Sequence, residues 1–365
     1  MKLRHKTPPY KLKPRGAGFL HPGANKFMAE NPVTKEETKV ILFSGKGGVG
    51  KTTIAAATAL SYALEGEKTL IISTDPTPSL SHIFETKPED KPSNPHGFPP
   101  QRSMKIPPCT PLVKGGWGDF HIKVTENLCF SELGFEEIKQ MWEAKFGREV
   151  YHIFSSFVNV SYGEFTDHIV TILPGLTEEF MVDYIKELSQ SGRYQRIIWD
   201  TAPLGQTLEL LKAPSMFTEH LKTAPRIYSQ LKMAKESKDS IFNIIDGWRK
   251  LSLEDMSFLK DKVKLVTIVI PEALSVHQLE GIFNEFDKYG IRIGQLVINH
   301  VIMRSDSEFL ASKSKQQKKY LQYIYERFGG LEIREVQEFA YEIKGLERLK
   351  EAGRTLRESL NSKNT

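Results

Sequence analysis

Cysteine is almost missing from this chain: among 365 residues only Cys109 and Cys129 occur. Their separation matches no zinc-ligand spacing and allows at most one disulfide. Each is therefore expected to be a small residue in a loop or core, in a reducing, cytosolic-type compartment. Long apolar runs are missing as well. The longest strand-like pieces, such as "LIIS" and "TIVI", fall far short of the ~20 residues that a bilayer span requires, so no transmembrane helix is expected. Acidic residues are absent from the first 29 positions, which hold seven Lys and Arg and prolines at 8, 9, 14 and 22. Such a stretch lacks the apolar core of a secretory signal. It reads as a disordered or surface-docked extension over residues 1–39, with an organellar transit peptide as the lesser alternative.

The charge of the folded part is also small. The net charge is +5, but residues 1–39 carry nine Lys and Arg against three Glu, so the rest holds one negative charge in excess. A nearly neutral body offers no phosphate-tracking surface, and nucleic acid is not an expected partner.

What is present is a series of short segments apolar on both faces: "KVILFSG", "KTLIISTD", "QRIIWD", "KVKLVTIVI" and "IGQLVINHV". Helical stretches separate them, the first being the small and apolar "TIAAATALSYALEGE". Strands with two apolar faces imply a mostly parallel sheet covered on both sides, a doubly wound α/β domain over residues 40–365. Residues 85–120 are rich in proline and read as loop. Residues 132–190 and 207–262 carry many large apolar groups at helical spacing and read as two insertions forming a helical subdomain.

Gly45 to Thr52 fits G-x-x-x-x-G-K-[ST] between a strand and a helix. Gly45, Gly47, Gly48 and Gly50, with Val49 between them, let the backbone N–H groups curl around a polyphosphate. Lys51 is placed to neutralise the β and γ phosphates, and Thr52, followed by Thr53, to offer a hydroxyl to Mg²⁺. Asp200 ends "RIIWD", where an acid can hold Mg²⁺ directly or through water. Asp75 ends "LIISTD" on the same edge of the sheet, where it either orients the attacking water or caps a turn before Pro76. These residues lead to the expectation of a bound nucleoside triphosphate with Mg²⁺.

The loop holds a second lysine, Lys46. "GKGGVGKTT" resembles the deviant phosphate loop of the dimeric P-loop ATPases that include nitrogenase iron protein, the Min and Par positioning ATPases and the arsenite-pump family. The resemblance implies that the nucleotide is ATP, hydrolysed on a P-loop NTPase fold. In that group the extra lysine reaches the partner's nucleotide, so the resemblance implies a homodimer with Lys46 catalytic in trans, beside Lys51 and Asp75. "STDPTPSLSHIF" and "WDTAPLGQTLELL" resemble the two switches of the arsenite-pump and tail-anchored-protein targeting ATPases. "IPEALSVHQLEGIFNEFDKYGIRIGQLVIN" resembles their nucleoside-side segment and implies nucleotide contacts at Glu272 and Asn299. "FAYEIKGLERLKEAG" resembles their closing helix. The similarity spans residues 40–355.

The single-domain targeting branch is the nearest match. It implies a cytoplasmic carrier whose helical insertions hold a client's transmembrane helix, with Met141, Phe154, Met216 and Met233 as groove candidates, and a membrane receptor that takes the client. Three departures stand out. Ser307 and Leu310 occupy the places of a Cys-x-x-Cys pair, so no shared zinc is expected. Pro78 and Ser79 replace His-Asn in the first switch, and Leu204 and Gln206 replace Thr and His in the second. One phosphate loop and two cysteines at an unrelated spacing weigh against the alternative of an arsenite or metalloid efflux ATPase. A nucleotide-dependent assembly or positioning ATPase with another client is the remaining alternative.

Overall fold

The computed structural model describes residues 37–75, 77, 79–86, 121–134, 138, 142–148, 151, 155, 161–165, 176–229, 235–304 and 306–358. In chain order its elements are β1 (Lys39–Gly45), α1 (Lys51–Leu64), β2 (Thr69–Ser73), α2 (Leu80–Ile83), β3 (Ile122–Lys123) and β4 (Leu128–Glu132). A π-helical turn, Glu143–Gly147, precedes α3 (Leu176–Gln190), β5 (Arg196–Asp200), α4 (Leu204–Ser229), α5 (Lys235–Asp261) and β6 (Val263–Val269). The remainder is α6 (Ala273–His277), α7 (Leu279–Lys288), β7 (Ile293–Val301), α8 (Glu308–Phe328), β8 (Glu332–Gln337) and α9 (Gly345–Glu358).

The strands form one eight-stranded sheet in the order β3-β4-β2-β5-β1-β6-β7-β8. Every neighbouring pair is parallel except β3 with β4. Successive residues of β1 divide between the two faces, as the two-residue period of a strand requires. Val40 and Leu42 join the core under α3, α4, α5, α7 and α8, whereas Ile41 and Phe43 join the core under α1 and α9. Both faces are thus buried, which explains why β1, β2 and β5 read as continuous apolar runs.

Small residues set the second face. α1 contributes Ala55, Ala56, Ala57, Ala59 and Ala63 to its core, and α9 packs against it at Gly353. A Cβ at Gly353 would stand 2.2 Å from Ser61 Oγ and 3.1 Å from the Ala57 carbonyl oxygen. On the first face, α3, α4 and α5 pack on one another and on the sheet. No helix among the described residues is long and apolar enough to cross a membrane.

Several elements differ from the sequence reading. β3, β4 and β8 were not expected. β4 lies just ahead of the first helical insertion, and its Cys129 is buried and disulfide-bonded, not an unlinked small residue. Ser307 caps α8: its hydroxyl accepts the Leu310 N–H at 3.2 Å, so these two positions form a helix start. Met141, Phe154, Met233, Pro76, Pro78 and most of the proline-rich stretch lie outside the described residues.

Candidate active site

β1 ends at Gly45 in the middle of the sheet, and the loop that follows turns straight into α1. Gly47 and Gly48 are exposed at its tip while Val49 is buried beneath. Gly50 caps the helix at φ 87°, in the left-handed region, and a Cβ there would stand 2.5 Å from Asn299 Nδ2. Glycine is the residue that meets both demands. Asn299, buried at the end of β7, donates from that nitrogen to the Val49 carbonyl at 2.9 Å. The first turn of α1 has no side-chain cap and no acidic residue, so its N–H groups remain open to an anion. Thr52 and Thr53 sit in that turn, half-buried.

The two lysines of the loop take different directions. Lys51 is buried and its Nζ donates to the Lys46 carbonyl at 3.2 Å. Burial lowers its pKa, and the charges of Asp200 and Asp75 oppose that shift. Lys46 is half-exposed, and its ammonium has no hydrogen bond or ion pair among the described residues.

Register brings the acids to the same edge. Asp200 ends β5 opposite Phe43 of β1 and Ser73 of β2. It is fully buried, and its Oδ2 accepts a long hydrogen bond from Ser73 Oγ at 3.4 Å. Burial pushes its pKa up to about 7, and the Thr52 hydroxyl and the Lys51 charge pull it back. Its Oδ1 has no hydrogen-bond partner among the described residues. An orphaned buried carboxylate oxygen next to a threonine hydroxyl suits a hard divalent cation or one of that cation's waters. Asp75, half-buried just past β2, accepts the Thr77 N–H on Oδ1 at 2.9 Å, and its own N–H donates to Ser73 Oγ at 3.3 Å. It therefore closes an Asx-type turn as well as facing Lys51.

Beside the loop opens a cavity of about 420 Å³ lined by Gly50, Thr53, Asn299, His300, Phe339 and Tyr341, among others. Sequence reasoning singled out the first three of these and missed His300; residues 339–344 belong to the stretch that resembles a closing helix, but that helix starts only at Gly345 and the residues before it line the cavity. The only available signal for His300 was the register of β8, whose polar composition hides it. Glu272 lies elsewhere: exposed at the N-cap of α6, it is not among the groups lining this cavity. Met216, on α4, is an exposed large apolar side chain and is not among the groups lining this cavity.

Residues 38–358 match the family model described as anion-transporting ATPase. The chain belongs to that family. It is accordingly an ATPase built on the doubly wound α/β fold. Among its relatives is an arsenical pump-driving ATPase homologue of Chlorobaculum tepidum, 26% identical over 334 residues, which covers 85% of this chain and 73% of the relative. An ATPase ASNA1 homolog 2 of Paramecium tetraurelia is 27% identical over 350 residues, 89% of this chain and 94% of the relative. The ATPase ASNA1 homolog of Dictyostelium discoideum is 25% identical over 342 residues, 88% and 90% of the two chains. Within this family member, the phosphate loop, both acids and the lined cavity occupy one edge of the sheet, where α/β folds place their ligands.

Proposed function

We propose that this ATPase hydrolyses ATP with Mg²⁺ as a homodimer, and that dimer closure and opening hold and release the transmembrane helix of a tail-anchored membrane protein. The observation that carries the mechanism is the divergence of the two lysines. Lys51 is folded inward onto its own loop, whereas Lys46 stands half-exposed with no side-chain partner among the described residues of its own protomer. A cation so placed is available to a phosphate brought by a second copy.

In this reading the N–H groups of Gly45–Thr53, with Lys51, hold the phosphates, and Asn299 steadies the loop on the nucleoside side. Thr52 and Asp200, the latter directly or through water, would hold Mg²⁺, which would neutralise phosphate charge. Asp75 orients the attacking water, and its bond to Thr77 fixes the carboxylate. Lys46 stabilises charge on the transferring phosphate of the partner. Glu272, exposed and outside the cavity, would act only across the dimer. The client groove belongs to the helical layer that includes α4 and α5, with Met216 at its surface and Met141, Phe154 and Met233 as further candidates. A membrane receptor would then take the client.

Support for a carrier comes from the resemblance of both switches and from the single phosphate loop. Binding a metalloid, as the resemblance to the arsenite-pump family would imply, would use cysteine thiolates. Cys129 is buried and disulfide-bonded, so it is no such ligand. Coexpression with a tail-anchored protein tests the reading: a soluble complex should form that depends on ATP and on the client's apolar helix. A complex that forms equally well without that helix, or equally well without ATP, would overturn it.

A further inference from the structure

Between Asn299 and Val301 the β7–β8 ladder slips. Ile298 pairs with Glu335 and Val301 with Gln337, so two residues of β7 oppose one of β8. The extra residue is His300, whose φ of 59° lies in the left-handed region that a histidine rarely adopts. Such a bulge re-aims side chains, and strain of this kind persists only where surrounding contacts enforce it. Here they do. Gln317 of α8, itself buried, donates through Nε2 to the His300 carbonyl at 2.8 Å and accepts the Ile302 N–H on Oε1 at 2.9 Å. The Glu338 N–H donates to the Val301 carbonyl at 2.9 Å, which ties the end of β8 to the bulge.

The outcome is a histidine turned into the cavity beside the phosphate loop. Its Nδ1 lies 2.7 Å from Glu338 Oε2. Its Nε2 is 3.8 Å from the place a Cβ would take on Gly50. His300, Glu338, Gly50 and Thr53 line the same space. A carboxylate only accepts, so the Glu338 contact puts the proton on Nδ1 and leaves the Nε2 lone pair facing the cavity. That lone pair needs a hydroxyl or amine donor. Resting on the nucleotide site proposed above, we infer that His300 is a nucleotide-binding residue: Nε2 accepts a hydrogen bond from a ribose hydroxyl, and Glu338 holds the ring in the accepting tautomer.

The test measures ATP, 2′-deoxy-ATP and 3′-deoxy-ATP binding to the full chain in Mg²⁺. His300→Gly and His300→Asn both tolerate the left-handed backbone, so loss of folding does not confuse the result. Each should weaken ATP binding roughly tenfold, the scale of one lost hydrogen bond. Each should leave unchanged the already weakened binding of one deoxy analogue. Glu338→Gln should cost part of the same affinity, because it no longer selects the tautomer. If both His300 variants bind all three nucleotides as the parent does, while Lys51→Ala loses them, His300 has no such role. If Lys51→Ala also binds normally, the nucleotide site itself is misplaced and the inference falls with it.

Discussion

At the scale of the residue, the decisive contrast is between two lysines five positions apart. Lys51 is held in place by burial and by its own loop carbonyl, whereas the Lys46 ammonium has no partner among the described residues of its protomer. Lys46→Ala should therefore bind ATP as the parent does yet lose at least ~10²-fold in turnover, the scale of one preorganised charge-stabilising group. Equilibrium nucleotide binding and steady-state phosphate release on the same preparation check both halves. Asp75 carries a different expectation because its Oδ1 also closes a turn with the Thr77 N–H. Asparagine keeps that acceptor and the side-chain size. Asp75→Asn should thus melt at nearly the parent temperature and bind ATP, but hydrolyse it ~10²-fold or more slowly. A variant that loses ATP binding or unfolds would mark Asp75 as a structural turn residue. The spacing of glycines, lysines and threonines made this part of the site readable in advance. His300 was not readable, because its role depends on a bulge and a backbone angle that no spacing encodes.

At the scale of the element, α3 and α5 bury an unusual number of acids. Glu179, Asp183 and Asp255 are all buried, and among the described residues Lys186 and the half-buried Lys145 bring positive charge to this group. Lys186 pairs with Asp255 and Asp183, and Lys145 pairs with Asp183 and Glu187. Glu179 faces Ser252 and Asp255 instead, and burial, reinforced by the neighbouring carboxylates, pushes its pKa from 4.5 up to about 8. A raised carboxyl pKa means that the folded state binds the proton more tightly than the unfolded state. Its contribution is complete below pH 4.5 and is lost as pH rises through about 8. Glu179→Gln, a neutral copy of the protonated acid, should melt close to the parent at pH 5 and increasingly above it towards pH 8.5. Equal shifts at both pH values would show that Glu179 is already charged when folded. The elements themselves were unequally visible in the sequence. β1, β2, β5, β6 and β7 are apolar and declare themselves. β8, "EIREVQ", is mostly polar at the sheet edge, with Arg334 bound to Glu332; it buries Val336 in one core and packs a half-buried Ile333 against the other. β4, "LCFSE", is as long as β2 and β5 but ends in serine and glutamate, so it does not stand out as a continuous apolar run.

At the scale of the whole molecule, the sheet order governs how the protein acts and how it comes into being. Because Lys46 is proposed to work in trans, specific ATPase activity should rise with protein concentration and level off once dimers dominate; constant specific activity across dilution would mean that each protomer hydrolyses alone. The same sheet order constrains biosynthesis. β1 lies between β5 and β6, with Lys39 paired to Arg196 and Val40 paired to Val263. A strand that leaves the ribosome early must wait for both of its neighbours, and its two apolar faces stay uncovered meanwhile. Such long-range pairing slows folding and exposes surface to aggregation. A chain stopped at residue 262 lacks β6, β7 and β8 and should yield no protease-resistant core, whereas the full chain should. An emerging polypeptide of this kind leaves its first strand without one of its two neighbours until the sixth strand has been made, so a protein proposed to shield the apolar helices of others passes through a stage in which its own apolar strand is open.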